Sequence, residues 1–569
     1  MVTGGNGDTG QMKNREFTWT AFTLGIILSV VFGAANAYLG LRVGLTVSAS
    51  VPAAVISMGV LRLILRRDSI LENNMVQTIG SAGESLAAGA IFTMPALFLW
   101  AEEGICAPPG FWTLTVIALM GGILGVLLMV PLRRPLIVDE DASLIYPEGR
   151  ACADVLKAGE EGMGRAQMVL FGLVGAVALK LVTDLLKWIP AAIRFPFRRL
   201  RGELGVEISS ALFGVGYIVG PKTATLVFSG SFLGWMVLIP LFCAFSETSA
   251  ATYAASGATG VWKESIRYVG AGAIMMGGLL SLLQSIPVFI QTFRRSRTDG
   301  DTGSERERDL PMNRVLIGIV CVILFLWIVP MVPVGFVGAC LMALFGFFFA
   351  TVSARMVGFV GSSNNPISGM MIATLVVAAL TLKVTGTAGA AGMVSAIAIG
   401  SVVCIVAAMA GDMAQDLKTG YLLGATPWKQ QVGELVGSVV AALTIGGVLY
   451  LLHKAWGFGS EQISAPQATL MKVIVEGIMG GNLPWKLLAL GAGLALPLHF
   501  ARVPVMPFAI GLYLSITLNM TIFLGGIFRL LMDRFRPAYT ENGTLVSAGL
   551  IAGEGICGIL LALLAFLKG

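Results

Sequence analysis

The chain has 569 residues, 56% of them hydrophobic and only 12% charged, with a mean hydropathy of +0.84, which exceeds what a soluble core can hide and excludes a water-soluble globular protein. The formal net charge of +6 is not a nucleic-acid footprint, because the basic residues sit in short loops rather than on one face. Seven cysteines (106, 152, 243, 321, 340, 404 and 557) show no CxxC pairing and lie mostly in apolar stretches, where a thiol acts as a small hydrophobe.

The polar N-terminus, MVTGGNGDTGQMKNREF, lacks an apolar core followed by a small-residue cleavage site, so the first helix is expected to stay as an anchor. Apolar stretches able to cross a ~30 Å hydrocarbon core recur from residue 18 to residue 567. The early spans are predicted at 18–41, 45–61, 72–100 and 111–131. Lys13 and Arg15, then Arg62, Arg66 and Arg67, then Arg133 and Arg134 fall on one side if 72–100 crosses once. The positive-inside rule makes that side, with the N-terminus, cytoplasmic and leaves AEEGICAPPG (101–110) outside.

Segment 72–100 carries Glu84 midway along mostly apolar and small residues. As one helix it would be about 44 Å long, so tilt, a break or an end in the headgroups must absorb the excess; Gly80, Gly83 and Gly89 are read as pliable points and Pro95 as a lost donor. Helical spacing puts Gln77, Ser81, Glu84 and Ala88 on one face, with Asn73 or Asn74 one turn earlier. A charge near the bilayer centre costs at least ~2.5 kcal/mol, so Glu84 must face water, a cation or a proton. The alternatives are a carboxyl capping or pairing inside the bundle and one that couples protons or receives a cationic substrate group.

VDEDASLIYPEGRACADVLKAGE (138–160) is too polar for an ordinary span, and RFPFRRLR (194–201) clashes with simple alternation, so a re-entrant or short segment is expected between them. In FRRSRTDGDTGSERERDLPMNR (293–314) six arginines alternate with five acidic residues; it is read as a solvated cytoplasmic linker between halves 1–292 and 315–569. The halves resemble each other. VGLTVSASVP from Val43 aligns with VGFVGSSNNP from Val357, Ala82-Gly83-Glu84 with Ala410-Gly411-Asp412, and ISSALFGVG (208–216) with VSAGLIAGE (546–554). Internal duplication, parallel or inverted, is a transporter pattern with the site near the midplane.

GFVGSSNNPISGMM (358–371) combines helix breakers with turn-forming residues and predicts a discontinuous helix, where Ser362, Ser363, Asn364 and Asn365 offer neutral hydrogen bonds to a substrate; an interfacial loop is the alternative. In MAGDMAQDLKTGYLLGATPWKQQ (409–431), Asp412, Asp416 and Thr419 share a helical face and Lys418 points elsewhere; the alternative is a helix end at the surface, with Lys418 and Lys429 in the headgroups. Glu148, Glu247 and Glu554 are further acidic candidates.

His453 and His499 lie far apart with no ligand spacing, so no metal site is expected; a Walker sequence is absent, so ATP is not expected to drive the chain. The AGD at Asp412 lacks the GxGD pattern and YD partner of an intramembrane aspartyl protease, and no GxSG with a usable His supports a serine protease. The chain is expected not to be an enzyme; a channel is the other alternative to a transporter.

Six strings, ENNMVQTIGSAGESLAAGAIFTMPALFL, YPEGRACADVLKAGE, GFVGSSNNPISGMM, GDMAQDLKTGYLLGATP, PFAIGLYLSITLNMTIFLGGIFR and GLIAGEGICGIL, resemble the signature blocks of the oligopeptide transporter (OPT) family, in its order and nearest its prokaryotic branch. The resemblance implies an all-α polytopic membrane protein of about 14–16 segments in two pseudo-repeated halves with broken or re-entrant helices. It implies a bacterial inner-membrane secondary active transporter, driven by a proton gradient without a cofactor. The substrate is expected to be a small oligopeptide or, as in the related yellow-stripe-like proteins, a metal complex of a siderophore-type or nicotianamine-type chelator; a homodimer is left open. The resemblance assigns no role to individual residues. The physical argument places Asn364 and Asn365 against substrate, with Glu84 and Asp412 as coupling or charge-recognition carboxyls.

Overall fold

The computed structural model describes residues 16–568 except 45, 47, 65, 67–68, 142–143, 160–163, 278–279, 281–307, 366, 461 and 481–483. The charged linker expected at 293–314 therefore lies outside the described residues up to position 307.

Eleven helices among the described residues are long and apolar enough to cross a membrane, and three shorter apolar helices accompany them: Ser50–Arg62, Met312–Ile328 and Trp485–Phe500. The protein is an all-α polytopic membrane protein. The stretch 194–201 that disturbed the expected alternation belongs to an antiparallel hairpin of two strands, Ala192–Phe197 and Gly202–Glu207. Before it, the short helix Pro147–Gly159 buries Cys152, Val155 and Leu156.

The predicted span 72–100 is interrupted. The helix Ile70–Ile91 ends at a turn over 92–94, and Pro95–Glu102 continues beyond it, as a proline that blocks the preceding turn's hydrogen bonds requires. Its glycines are not hinges, since the helix runs through all three. Gly83 lies where an added Cβ would come within 2.0 Å of the Ser29 carbonyl oxygen, and Gly89 where it would come within 2.4 Å of Ile405 Cα. Between helices in lipid, such small residues let backbones approach.

Two stretches follow the same order. The helix Trp19–Val43 ends at Gly44 (φ +73°), the short helix Ser50–Gly59 follows, and Ile70–Ile91 packs back on the first. Likewise Phe336–Val360 ends at Gly361 (φ +85°), Ile367–Val384 follows, and Gly389–Leu423 packs back on the first. The third sequence match does not follow this pattern: Ser210 opens the helix Ser210–Phe232, whereas Glu554 lies mid-helix in Thr540–Lys568. The helix Gly389–Leu423 is almost wholly buried from Gly392 to Gly420, and it is the axis on which the candidate site is built.

Candidate functional site

A helix start leaves N–H groups without intrahelical acceptors, and at membrane depth no water replaces them. At three places a carboxylate from a distant segment does. Glu84 accepts from the Ala49 N–H (3.0 Å) at the start of Ser50–Gly59 and from Asn36 Nδ2 (3.1 Å). Glu148 accepts from the Ser362 and Ser363 N–H groups (3.0 and 3.1 Å) in the break after Val360. Glu554 accepts from the Ala211 N–H (2.8 Å) and the hydroxyls of Ser209 (2.8 Å) and Ser210 (2.9 Å), with Arg42 Nη1 at 3.2 Å. Negative charge at a helix N-terminus is the favourable arrangement. Glu84 thus meets a helix start inside the bundle, and the Ser362 and Ser363 N–H groups are turned to Glu148.

A different set of acids is left without such partners. Asp416 accepts from Ser50 Oγ (3.1 Å), Gln77 Nε2 (2.5 Å) and Ser81 Oγ, and the carboxyl of Glu434 lies beside it. Asp412 accepts from Ser85 Oγ, while its Oδ1 and the Oε1 of Glu434 have no hydrogen-bond partner. The exposures of Asp412, Asp416 and Glu434 are 2%, 0% and 1%, so water does not offset their charge. Among the described residues no lysine or arginine bonds to any of the three, although Asp412 and Asp416 are close enough to feel each other's charge. The face of helix 70–91 that meets these acids is Gln77, Ser81, Ser85, at spacings of four; Glu84 sits one position around it.

The remaining candidates separate cleanly. Asn73 is structural, accepting from Ser57 Oγ (2.6 Å) and donating to the Ser69 carbonyl (3.1 Å). Asn74 is buried with neither amide atom hydrogen-bonded. Glu247 is exposed in the first turn of its own helix, Glu247–Val261, and does not join the site. Lys418 is not in the headgroups: it is fully buried, bonded to Asp141, with the rings of Tyr146 and Tyr421 each 5.6 Å away. Thr419 donates to the Gly149 carbonyl (2.9 Å). The side chain of Asn364 lies outside what the structure describes. Glu434 and Ser85 are additions that sequence reasoning missed. Ser85 carried a signal, being four residues beyond Ser81, whereas Glu434 follows WKQQ and reads as the polar start of a helix.

Beside the broken helix lies a cavity of about 990 Å³, lined by Ser363, Asn365, Gln467, Phe92 and Arg502 among others. Asn365 Nδ2 donates to Ser353 Oγ (2.7 Å), whose own proton goes to the Ala407 carbonyl (2.5 Å), and Gln467 Nε2 donates to the Gly44 carbonyl (3.3 Å). Those bonds fix both amides with their carbonyl oxygens unpartnered. Both oxygens are themselves buried, so neither is presented to the cavity as the structure stands.

Residues 16–565 match the family described as OPT oligopeptide transporter protein. A Haemophilus influenzae protein named as a candidate oligopeptide transporter is 35% identical over 92% of each chain. Two Arabidopsis thaliana metal-nicotianamine transporters are more distant: YSL3 is 23% identical over 94% of this chain and 88% of its own, and YSL2 is 22% identical over 97% and 94%. With broken helices, an almost wholly buried central helix and a match that runs nearly end to end, the chain belongs to the OPT oligopeptide transporter family.

Proposed function

We propose that the protein is a proton-driven importer of small oligopeptides in a bacterial inner membrane, with its N-terminus in the cytoplasm. The observation that carries the coupling is the cluster Asp412, Asp416 and Glu434, buried without a cation. Buried carboxyls packed beside one another do not all carry charge at once, so a proton held by one is available to its neighbours. Uncompensated acids at membrane depth are the usual form of a proton relay. The cluster sits where helices 70–91, 389–423 and 427–456 meet, so a shift of one against the others would strip Gln77, Ser81 and Ser85 from the acids and open them to a new side. Coupling thus moves from Glu84 to Asp416 and Glu434, with Asp412 retained.

The 990 Å³ cavity is the substrate chamber in this reading, with Ser363, Asn365 and Gln467 among the polar residues of its wall. The 35% identical relative supports the peptide class; the metal-nicotianamine relatives support a second reading, in which the same chamber takes a metal chelate. Neither reading needs the chain to carry out chemistry on its cargo. The test is uptake into proteoliposomes of di- to hexapeptides alongside iron and nickel chelates, with and without an inward proton gradient. Gradient-dependent accumulation of peptides is expected; accumulation of chelates alone would select the second reading, and downhill flux indifferent to the gradient would mean a channel.

A further inference from the structure

At the end of the bundle that carries the 103–110 loop, where Phe98 meets Phe458 and His453 meets Glu102, there is a second cavity of about 220 Å³. Its wall includes Tyr38, Trp235, Trp262 and Trp456 together with Arg42 and Arg267. It is smaller than the cavity beside the broken helix. A thin partition separates it from the large cavity. Arg42 and Ser464 line one side and Gly44 and Gln467 the other. Ser464 Oγ donates to the Arg42 carbonyl (2.8 Å) and the Ala465 N–H to the Leu41 carbonyl (2.8 Å) across that wall.

Most of the charge here is already matched. Arg42 holds Glu207 and Glu554, Lys180 holds Asp184 (2.8 Å), and Arg194 lies 3.8 Å from Glu203. Arg267 differs. Its Nε donates to the Tyr513 hydroxyl (2.8 Å) and its Nη2 to the Ser464 carbonyl (3.1 Å) and Thr469 Oγ1 (3.2 Å). Its guanidinium lies over the rings of Trp262 (5.8 Å) and Tyr513 (5.1 Å), and among the described residues it has no carboxylate partner and its Nη1 makes no hydrogen bond. The indole N–H groups of Trp235 and Trp262 are likewise buried without acceptors. Arg267 Nη1 and the two indoles are donors, while the carboxylates of Asp184, Glu203 and Glu207 on the same wall face other cations. Four of its residues also stand on single π-helical turns: Asp184 on Leu181–Leu185, Trp235 on Leu233–Leu238, and Trp262 and Lys263 on Trp262–Ile266. Such turns are rare and concentrate at functional sites.

We propose that this cavity captures a carboxylate of the substrate on Arg267, with the Trp235 and Trp262 indoles as further donors, before the substrate passes the Ser464–Gln467 partition. A planar guanidinium stacked on aromatic rings is the group best suited to a carboxylate. Because Nη2 also holds the Ser464 carbonyl, occupation of Arg267 acts directly on the partition. The inference rests on the transport reading above, but it concerns binding rather than coupling. The carboxylate is common to a peptide C-terminus and to an amino-acid-type chelator.

The test is calorimetric titration of the full chain in nanodiscs with trialanine, trialanine amide and nickel–nicotianamine. Trialanine is expected to bind at least tenfold more tightly than its amide if the source is a peptide, and nickel–nicotianamine to bind instead if it is a chelate. Arg267→Gln should weaken the binding probe at least tenfold and Arg267→Lys should restore part of it. Trp262→Phe keeps the ring, removes one donor and should weaken binding several-fold, which keeps the test decisive if the Gln variant does not fold. Equal affinity for acid and amide with no chelate binding, no binding of any probe, or full affinity in Arg267→Gln each overturns the proposal. Gradient-driven accumulation without carboxylate selectivity would remove the capture site and leave the coupling standing; selective binding without gradient-driven accumulation would do the reverse.

Discussion

Replacing Asp416 by Asn removes a proton-holding group while keeping its shape, and the hydrogen bonds around it allow the structural cost to be worked out. Ser50 Oγ and Gln77 Nε2 both donate to Oδ1, and Ser81 Oγ donates to Oδ2. An asparagine with its carbonyl oxygen in the Oδ1 position keeps the first two. Its NH₂ group meets Ser81, whose hydroxyl already reaches the Thr78 carbonyl (3.1 Å) and can turn there. The same NH₂ can donate to the neighbouring carboxyl of Glu434. The net loss is about one hydrogen bond, or ~1 kcal/mol, so the variant should fold and melt close to the parent. Asp416→Ala instead strands two buried donors at about 1–3 kcal/mol each and should melt clearly lower. In proteoliposomes with an inward proton gradient the Asn variant should equilibrate substrate and retain counterflow, yet never concentrate it. Accumulation by Asp416→Asn to the parental level would refute the coupling argument.

Glu554→Gln leaves Arg42 and Lys180 short of a buried partner charge, a change that costs about 3–5 kcal/mol in comparable sites, and should appear as a large drop in melting temperature in detergent; an unchanged melt would show that Glu207 and Asp184 suffice. Gly83→Ala drives a Cβ into the Ser29 carbonyl and should cost about 1–3 kcal/mol as helices 19–43 and 70–91 part, whereas Gly175→Ala, with nothing within 4 Å, is the control that should melt like the parent. Glu148→Gln keeps one acceptor for two N–H groups, so hydrogen exchange at Ser362 and Ser363 should quicken; unaltered protection would mean that the break holds itself.

The fold was legible where a single physical demand dominates. Hydropathy located the long helices, and Gly361, in the segment 358–371, and Pro95 marked breaks because few other residues fit there. Glu84, Asp412 and Asp416 stood out as acids in apolar surroundings. What could not be read was which N–H or carboxyl each would meet, since those contacts join segments far apart in the chain. Glu434 was invisible for the opposite reason: WKQQVGE looks like a solvated helix start, and only tertiary packing buries Gln430, Gln431 and Glu434. Lys418 likewise resembles a headgroup anchor until Tyr146 and Asp141 close over it. The hairpin 192–207 was missed because its turn residues, FRRLRG, carry the same basic signal as a membrane-flanking loop.

The three capped breaks also bear on how the protein is made. The carboxylate that closes the start of helix 210–232 arrives from a position 343 residues later, in helix 540–568. A ribosome therefore releases the polar helix end into the bilayer long before its cap exists, and the nascent molecule must keep Ala211 hydrated or shielded until Glu554 inserts. Insertion of helix 540–568 becomes the event that closes this helix start, so a defect in that helix should be felt as failed assembly of a segment synthesised long before it.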